Sequence, residues 1–319
     1  MRDIDGSAQR WAAVASAGGH LTQLLVLQER LSHDAPIWVT YPVEQARSLL
    51  EGQQVAWAHH PTTKHLPNAV RNYRLARRFF SQNDIGHVVS TGAAVSVPFI
   101  THARQLGIPC HYIESATRVD GPSLSGRILQ RMGGVQLYRQ LGDWGSPRWQ
   151  RGPCVFDGYS ASSRSAPAPQ RVVVSLGTHR FAFPALVERL AACFRGSALQ
   201  VTWQLGSTPD PGNLPGNVVE VLPAEELQAA VANADVVIGH AGVGLTLTAL
   251  RAGIVPVLVP RRRSRREHTD DHQVQLAREL ANLGLGIHAE VTDLSLDHLE
   301  RAAGFLATFD EPPPFDLFA

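Results

Sequence analysis

The sequence predicts an α/β protein of two Rossmann-like domains, each with a parallel sheet, facing each other across a cleft. Its 319 residues exceed what one hydrophobic core usually fills, so two domains of about 150 residues are expected. In both halves, short β-branched runs alternate with stretches at helical spacing, as in parallel sheets flanked by helices. A segment rich in Ser, Ala and Pro interrupts this alternation. We therefore predict an N-terminal domain over residues 1–156, a linker over 157–170 and a C-terminal domain over 171–319, whose tail packs back on the first domain.

The predicted strands follow one another at regular intervals in each half. In the first half they cover residues 12–15, 37–41, 55–58, 87–90 and 111–113. In the second half they cover residues 172–176, 201–205, 218–221, 236–238 and 255–259. A helix is predicted over 184–194, because Leu186, Leu190 and Phe194 share one face behind a proline suited to a first turn.

Composition and charge exclude several classes of protein. The net charge of +1 provides no global field for nucleic acid, so no nucleic-acid partner is expected. Cys110, Cys154 and Cys193 lack metal-ligand spacing and suit free thiols in a reducing compartment. The apolar stretches are too short to span a membrane, and the N-terminus lacks the layout of an export signal. We expect a cytoplasmic protein.

Two short motifs follow the first strand of each predicted domain. SAGGH, residues 16–20, lies before a helix, and its paired glycines would let a ligand approach the backbone. SLGT, residues 175–178, offers hydroxyls and amides that suit a phosphate. Taken alone, each motif fits an ordinary strand-to-helix turn equally well.

A third motif, residues 234–260, predicts an anion site more strongly. A buried strand ends at Ile238, and the turn that follows, with His240, Gly242 and Gly244, opens a helix. Free amides and the helix dipole at such a point suit a diphosphate. Five arginines follow within residues 261–273, either around that site or as a solvated loop. Two α/β domains of this kind fit a periplasmic-type binding protein, a nucleotide-sugar epimerase or a GT-B glycosyltransferase, and the fold alone does not choose.

The motifs resemble those of family 28 glycosyltransferases of the GT-B fold. Residues 234–284 resemble the family's C-terminal domain in the turn at His240, the spacing of Gly253 and Pro256, and the pair His272 and Gln273. Residues 16–20, 90–100 and 111–129 are similar to the partner subunit of the two-subunit eukaryotic UDP-N-acetylglucosamine transferase of dolichol-linked oligosaccharide synthesis, and to its bacterial exopolysaccharide counterparts. The resemblance implies a fusion of two subunits that are usually separate.

The resemblance also implies an activity and its site residues. It implies an inverting transferase that moves a hexose from a UDP-sugar to a lipid-linked polyprenyl diphosphate sugar, in exopolysaccharide or glycolipid synthesis. N-acetylglucosamine, galactose and glucuronic acid are the donor sugars it suggests. The implied donor-binding residues are Thr178, His240, Gly242, Val243, Gly244, Thr248, His272 and Gln273. Relatives usually have a Glu for the nucleotide ribose where this chain has Thr248, and a hydroxyl binds less strongly than a carboxylate.

The first half is expected to hold the acceptor and the catalytic base. His20 is the preferred base, since its ordinary pKa suits proton transfer at neutral pH, and Glu114 is the alternative. The predicted residues for the acceptor and the membrane are Gly18, Gly19, Arg71, Arg74, Arg77 and Arg78. The four arginines alternate with Tyr73, Phe79 and Phe80, which suits an anionic membrane surface on the inner face of the cell membrane, although a solvated helix face fits as well.

Neither a metal nor another cofactor is expected, because helix-terminal amides can stabilise a leaving diphosphate. The pair Asp270 and Asp271 is interpreted as solvated or structural. A UDP-sugar epimerase and a catalytically weak membrane scaffold remain alternatives, and the sequence leaves the oligomeric state open.

Overall fold

The computed structural model describes residues 10–31, 35–60, 66–144, 146–178 and 181–317. It divides into two compact units. The first unit runs as far as Val155 and also includes the residues from Pro312 onward, while the second spans Phe156–Glu311. Each unit combines helices with a parallel sheet, which confirms the predicted α/β class.

The first unit is built on one parallel sheet. Its strands are β1 (Trp11–Ala15), β2 (Ile37–Thr40), β3 (Val55–Trp57), β4 (His87–Gly92), β5 (Cys110–Ile113), β6 (Gln136–Arg139) and β7 (Trp149–Arg151). They lie in the order β3-β2-β1-β4-β5-β6-β7. The order of the strands therefore reverses between β1 and β4, while all the strands stay parallel. Open α/β sheets bind ligands beyond the carboxyl ends of their strands at such a point.

Helices cover this sheet and explain its continuous apolar runs. They are α1 (Gly19–Gln28), α2 (Glu44–Leu49), α3 (Leu66–Gln82), α4 (Ser96–Gln105) and α5 (Leu124–Met132). Every residue of β1, β2 and β5 is buried, as expected for parallel strands covered on both faces. Trp11, Trp38 and Tyr112 are among the largest fully buried side chains.

The second unit repeats this architecture around a six-stranded parallel sheet. The strands of the unit are β8 (Tyr159–Ser163), β9 (Arg171–Ser175), β10 (Gln200–Gln204), β11 (Asn217–Val219), β12 (Val236–Gly239), β13 (Val257–Leu258), β14 (Ile287–His288) and β15 (Phe305–Phe309). The main sheet has the order β11-β10-β9-β12-β13-β14. The helices are α6 (Pro184–Phe194), α7 (Ala224–Ala232), α8 (Val243–Arg251), α9 (His272–Asn282) and α10 (Leu296–Ala303). Phe183, Phe194 and Trp203 are buried in its core.

Five of the described strands, β6, β7, β8, β14 and β15, are absent from the prediction. Within the segment expected to be a linker, Tyr159–Ser163 forms β8 and pairs antiparallel with β15. Its residues are exposed or half-buried, so no apolar pattern marks it in the sequence. The strands β6 and β7 include Gln136, Arg139 and Gln150, and β14 has only two residues, so these also lack a strand signal.

The C-terminal residues of the described chain pack on the first unit. The backbone N–H of Phe315 donates to the carbonyl of Arg30 at 3.0 Å. Nη2 of Arg30 donates to the carbonyl of Pro313 at 3.3 Å, and the Phe315 ring meets the Tyr138 ring edge-on at 6.1 Å. Leu317 is buried. Two stretches distant in sequence thus complete this unit.

Candidate functional site

Two loops meet at the carboxyl edge of the second sheet. Because β9 and β12 are neighbouring parallel strands, the residues after Ser175 and after Gly239 lie side by side. Nδ1 of His240 lies 3.5 Å from the carbonyl oxygen of Ser175. A Cβ added to either Gly177 or Gly242 would lie 2.6 Å from an atom of the His240 ring. The imidazole therefore fits only because both neighbours are glycines.

The turn at His240 leads directly into α8. Gly242 is the N-cap residue, Val243 begins the helix, and Ala241 has a positive φ of 60°, which is uncommon for a residue with a side chain. A Cβ placed on Gly244 would have no neighbouring atom within 4 Å, so the backbone there is open. The first amides of a helix lack intrahelical acceptors and carry the positive end of its dipole. This edge of the sheet is suited to a phosphate or diphosphate.

Thr248 lies one turn further along α8. Its hydroxyl donates to the carbonyl of Gly244 at 3.0 Å, and the residue is half-buried. The hydroxyl hydrogen is thereby engaged, while the oxygen can still accept a hydrogen bond from a ligand. Thr178, three residues after the end of β9, is exposed.

The arginine-rich loop after β13 is held by acidic and amide side chains. Arg262 pairs with Glu290, which raises the pKa of Arg262 and lowers that of Glu290. Asp271 accepts a hydrogen bond from the backbone N–H of Arg263 at 2.9 Å, which supports its predicted structural role. Gln273 is buried, and its Oε1 accepts the backbone N–H of Arg261 at 3.1 Å. That oxygen holds the loop in place. The NH2 group of Gln273 is the part of the side chain that remains for the predicted sugar contact.

Asp270 links two histidines at the start of α9. Its Oδ1 contacts Nδ1 of His272 and lies 3.2 Å from Nδ1 of His268. Among the described residues, these three form a cluster whose ligand atoms, all within 4.8 Å of one another, could hold a metal ion. The neighbouring arginines oppose a cation. We interpret the cluster as hydrogen-bonded, with Asp270 fixing the orientation of His272.

In the first unit, His20 lies at the point where the strand order reverses. Its Nδ1 lies 2.7 Å from the carbonyl oxygen of Thr91, and the Thr91 hydroxyl donates to the carbonyl of His20 at 2.7 Å. A carbonyl can only accept, so Nδ1 carries the hydrogen, and in the neutral imidazole Nε2 is the nitrogen that can accept a proton. A Cβ added to Gly92 would lie 3.0 Å from two ring atoms of His20. Thr91 and Gly92, which the sequence did not single out individually, therefore fix the ring.

Gly18 and Gly19 leave the backbone open beside His20. Gly18 has a positive φ of 81° and caps α1, which begins at Gly19. A Cβ built on either residue would have no neighbouring atom within 4 Å. The pair therefore leaves room for a ligand to approach the amides at the start of α1.

Glu114, the predicted alternative to His20 as the base, lies in a closed hydrogen-bonded environment, and its role in catalysis stays a prediction. The residue is fully buried, and its carboxylate accepts from the backbone N–H groups of Ser115 at 3.1 Å and Ser123 at 2.9 Å. The Tyr112 hydroxyl donates to it at 3.3 Å. Burial raises the pKa of Glu114, while these backbone hydrogen bonds lower it. Glu114 holds the loop between β5 and α5. The sequence does not show that Glu114 is buried.

The helix α3 separates its basic residues from its aromatic ones. Arg71, Arg74, Arg77 and Arg78 are all exposed. By contrast, Phe79 and Phe80 are buried against Phe99 of α4, and the Tyr73 hydroxyl donates to Gln105 at 2.7 Å. The expected alternation of arginines and aromatic rings on one surface is therefore wrong. The exposed surface of α3 carries the four arginines and neither phenylalanine, and Val70 is exposed beside them.

Within the described part of the chain, no helix combines the length and the apolar character needed to cross a bilayer.

Comparison with known proteins points to one class of enzyme. Residues 171–303 match the family model of the glycosyltransferase family 28 C-terminal domain. The chain is 26% identical over 314 residues to the UDP-N-acetylglucosamine–N-acetylmuramyl-(pentapeptide) pyrophosphoryl-undecaprenol N-acetylglucosamine transferase of Synechococcus elongatus, covering 91% of this chain and 85% of that protein. It is also 27% identical over 143 residues to the NDP-glycosyltransferase YjiC of Bacillus subtilis, covering 44% of this chain and 34% of that protein.

Solved structures share the fold over nearly the whole chain. MurG of Acinetobacter baumannii aligns with a TM-score of 0.60 and 19% identity, covering 92% of this chain and 89% of that one. The glycosyltransferase of kitacinnamycin aligns with a TM-score of 0.63 and 19% identity, covering 93% and 90%. The chain therefore has the GT-B fold of glycosyltransferases, as predicted. Within its second unit, residues 171–303 are similar to the family 28 C-terminal domain.

Proposed function

We propose that this chain is an inverting glycosyltransferase that transfers a hexose from a UDP-sugar to a lipid-linked polyprenyl diphosphate sugar. The observation that carries the proposal is the His240 turn, whose flanking glycines bring the loop after β9 against the start of α8. The family 28 match covers this turn, and the Synechococcus relative is named for the same type of donor and acceptor. A role in exopolysaccharide or glycolipid synthesis, with N-acetylglucosamine, galactose or glucuronic acid as donor sugar, is part of the proposal.

In the proposed reaction, an acceptor hydroxyl attacks the anomeric carbon of the donor sugar as the bond from that carbon to the UDP oxygen breaks. Nε2 of His20 takes the hydroxyl proton, and the bonding electrons leave with UDP. The amides at the start of α8 stabilise the negative charge that develops on the diphosphate. With these donors in place, we propose that the reaction requires no metal ion.

We propose that α3, α4 and α5 form the membrane-facing surface of the first unit. The three helices carry seven arginines and no Asp or Glu: Arg71, Arg74, Arg77, Arg78, Arg104, Arg127 and Arg131. On α5, Leu124 is 71% exposed and Ile128 is 37% exposed, one turn apart. Apolar side chains flanked by arginines suit the interface of an anionic membrane, here the cytoplasmic face of the cell membrane.

We also propose that the chain corresponds to a fusion of a membrane-anchoring subunit and a donor-binding subunit, as in the two-subunit eukaryotic transferase. The motifs shared with that partner subunit all lie before β6, whereas the family 28 match lies entirely in the second unit.

Product analysis tests the function directly. The protein is incubated with each UDP-sugar, with and without a polyprenyl diphosphate sugar, and the products are separated by chromatography. We expect UDP and an elongated lipid, formed only when both substrates are present. An epimerised UDP-sugar without acceptor would instead identify an epimerase, and UDP-sugar binding without any product would identify a scaffold.

A further inference from the structure

Arg261 is a buried charge whose environment the proposed reaction does not yet explain. The residue follows β13 and is only 1% exposed. Among the residues that the structure describes, no carboxylate pairs directly with its guanidinium and its Nε has no hydrogen-bond partner, although the charge of Glu267 acts on it from a longer distance. Burial lowers the pKa of Arg261 to about 10, so the side chain still carries its charge at neutral pH. A buried charge without a counter-ion is costly to fold around.

The contacts of Arg261 converge on the loop after β9. Its Nη2 donates to the carbonyl of Leu176 at 2.9 Å, and its guanidinium lies 5.2 Å from the centre of the Phe183 ring. Its backbone N–H is held by Gln273. The next residue after Leu176 is Gly177, which lies against the His240 ring. Arg261 thus supports the same loop that borders the start of α8.

Packing alone does not account for an arginine at this position. A hydrophobic residue of similar volume usually stabilises a protein as well as a buried ion pair does, and here even the ion pair is missing. An anion bound at the start of α8 would provide an opposite charge in addition to that of Glu267. A guanidinium also binds phosphate oxygens strongly, because its planar N–H donors match their geometry and its charge is opposite.

We propose that Arg261 is a positioning residue for the donor, holding the loop at Leu176 and compensating the charge of the diphosphate from beneath it. This inference rests on the proposed function, because it takes the anion to be the diphosphate of a UDP-sugar.

Calorimetric titration of UDP and of UMP into matched variants tests the inference. The ratio of the two affinities reports the added phosphate rather than the general integrity of the site. We expect Arg261→Met to weaken UDP binding by about tenfold or more while affecting UMP much less, which lowers the ratio. Arg261→Lys, which keeps the charge, should retain most of the ratio. Arg265→Met removes an exposed arginine from the same loop and should leave the ratio unchanged.

The outcomes separate this inference from the function on which it rests. If the wild type binds UDP and Arg261→Met keeps the wild-type ratio, the inference is wrong and the proposed function stands. If Arg261→Met does not fold, Arg261→Lys decides, because it keeps the charge at this position. A loss of about tenfold or more in the ratio of Arg261→Lys also overturns the inference. A wild type that fails to bind UDP overturns the proposed function and the inference together.

Discussion

At the scale of single residues, Gly92 controls the orientation of the proposed base. In Gly92→Ala the new Cβ would lie 3.0 Å from the His20 ring, so the imidazole must move. We expect turnover to fall towards that of His20→Ala, which should lose about a hundredfold or more as a general base. UDP affinity should stay unchanged, because Gly92 belongs to the first unit. Turnover numbers and calorimetric affinities of both variants check this.

A matched control separates displacement of His20 from backbone strain. Gly92 has a φ of 106° and Gly107 a φ of 77°, so alanine is strained at either position. A Cβ on Gly107, however, would have no neighbouring atom within 4 Å. Gly107→Ala should lose stability but keep its turnover, and equal losses of turnover in the two variants would contradict our account of Gly92.

The buried carboxyl of Glu114 should affect stability and not catalysis. Burial raises its pKa above the ordinary value of 4.5, so the folded protein binds that proton more tightly than the unfolded chain. The resulting stabilisation is present at low pH and is lost as the pH rises through the folded pKa. In Glu114→Gln this dependence is absent. The free energy of unfolding of the variant, relative to the wild type, should therefore increase as the pH rises above 4.5.

Denaturant unfolding at several pH values measures that difference, and turnover is measured in parallel. We expect the folded Glu114→Gln variant to keep turnover within about threefold of the wild type. A loss of about a hundredfold would instead show that Glu114 is the base.

At the scale of elements, the exposed face of α3 should determine membrane binding. Changing Arg71, Arg74, Arg77 and Arg78 together to Gln should weaken binding to anionic vesicles by about 1 kcal/mol for each arginine near the surface. The effect should shrink in high salt, and UDP binding should not change. Vesicle sedimentation gives the affinity.

The control for α3 is an equal change of charge on the second unit. Four exposed arginines there serve this purpose: Arg195, Arg251, Arg278 and Arg301. Their replacement by Gln alters the net charge by the same amount. If both quadruple variants bind vesicles equally well, α3 is a solvated face and the membrane surface lies elsewhere.

The helix α8 should determine how strongly the nucleotide is held. Thr248 uses its hydroxyl hydrogen within the helix, so a ribose hydroxyl can be met only by its oxygen. A carboxylate accepts such hydrogen bonds more strongly, and Thr248→Glu should tighten UDP binding about tenfold for each 1.4 kcal/mol gained. Thr248→Val keeps the shape and should weaken binding modestly. Equal affinities by calorimetry in all three proteins would show that Thr248 does not face the nucleotide.

At the scale of the whole molecule, the sequence predicts what depends on continuous apolar burial. The strands β1, β9 and β12 consist mostly of buried small and β-branched residues, and the sequence marks them clearly. The strands β6, β7 and β8 contain polar residues and are partly exposed, so only their pairing partners define them.

At the candidate site, the sequence does not show how deeply each side chain is buried. Glu114 and Arg261 are both charged residues next to functional motifs, and each is buried by elements distant in sequence. Burial by distant elements also explains why the expected alternation on α3 is wrong, because Phe79 and Phe80 pack into the core and the arginines stay exposed. By contrast, the order of motif, turn and helix at His20 and His240 is local, and the sequence predicted both positions.

The return of the C-terminal residues to the first unit limits how this chain could be divided into two polypeptides. A break between Val155 and Phe156 would leave Phe315 and Leu317 on the polypeptide of the second unit, although both belong to the first. The first polypeptide alone would expose the surface around Arg30 and Tyr138 that these residues cover. During synthesis, likewise, the first unit acquires its last packing contacts only after the whole second unit has been translated. Separate halves would therefore have to reassociate through an exchanged C-terminal arm.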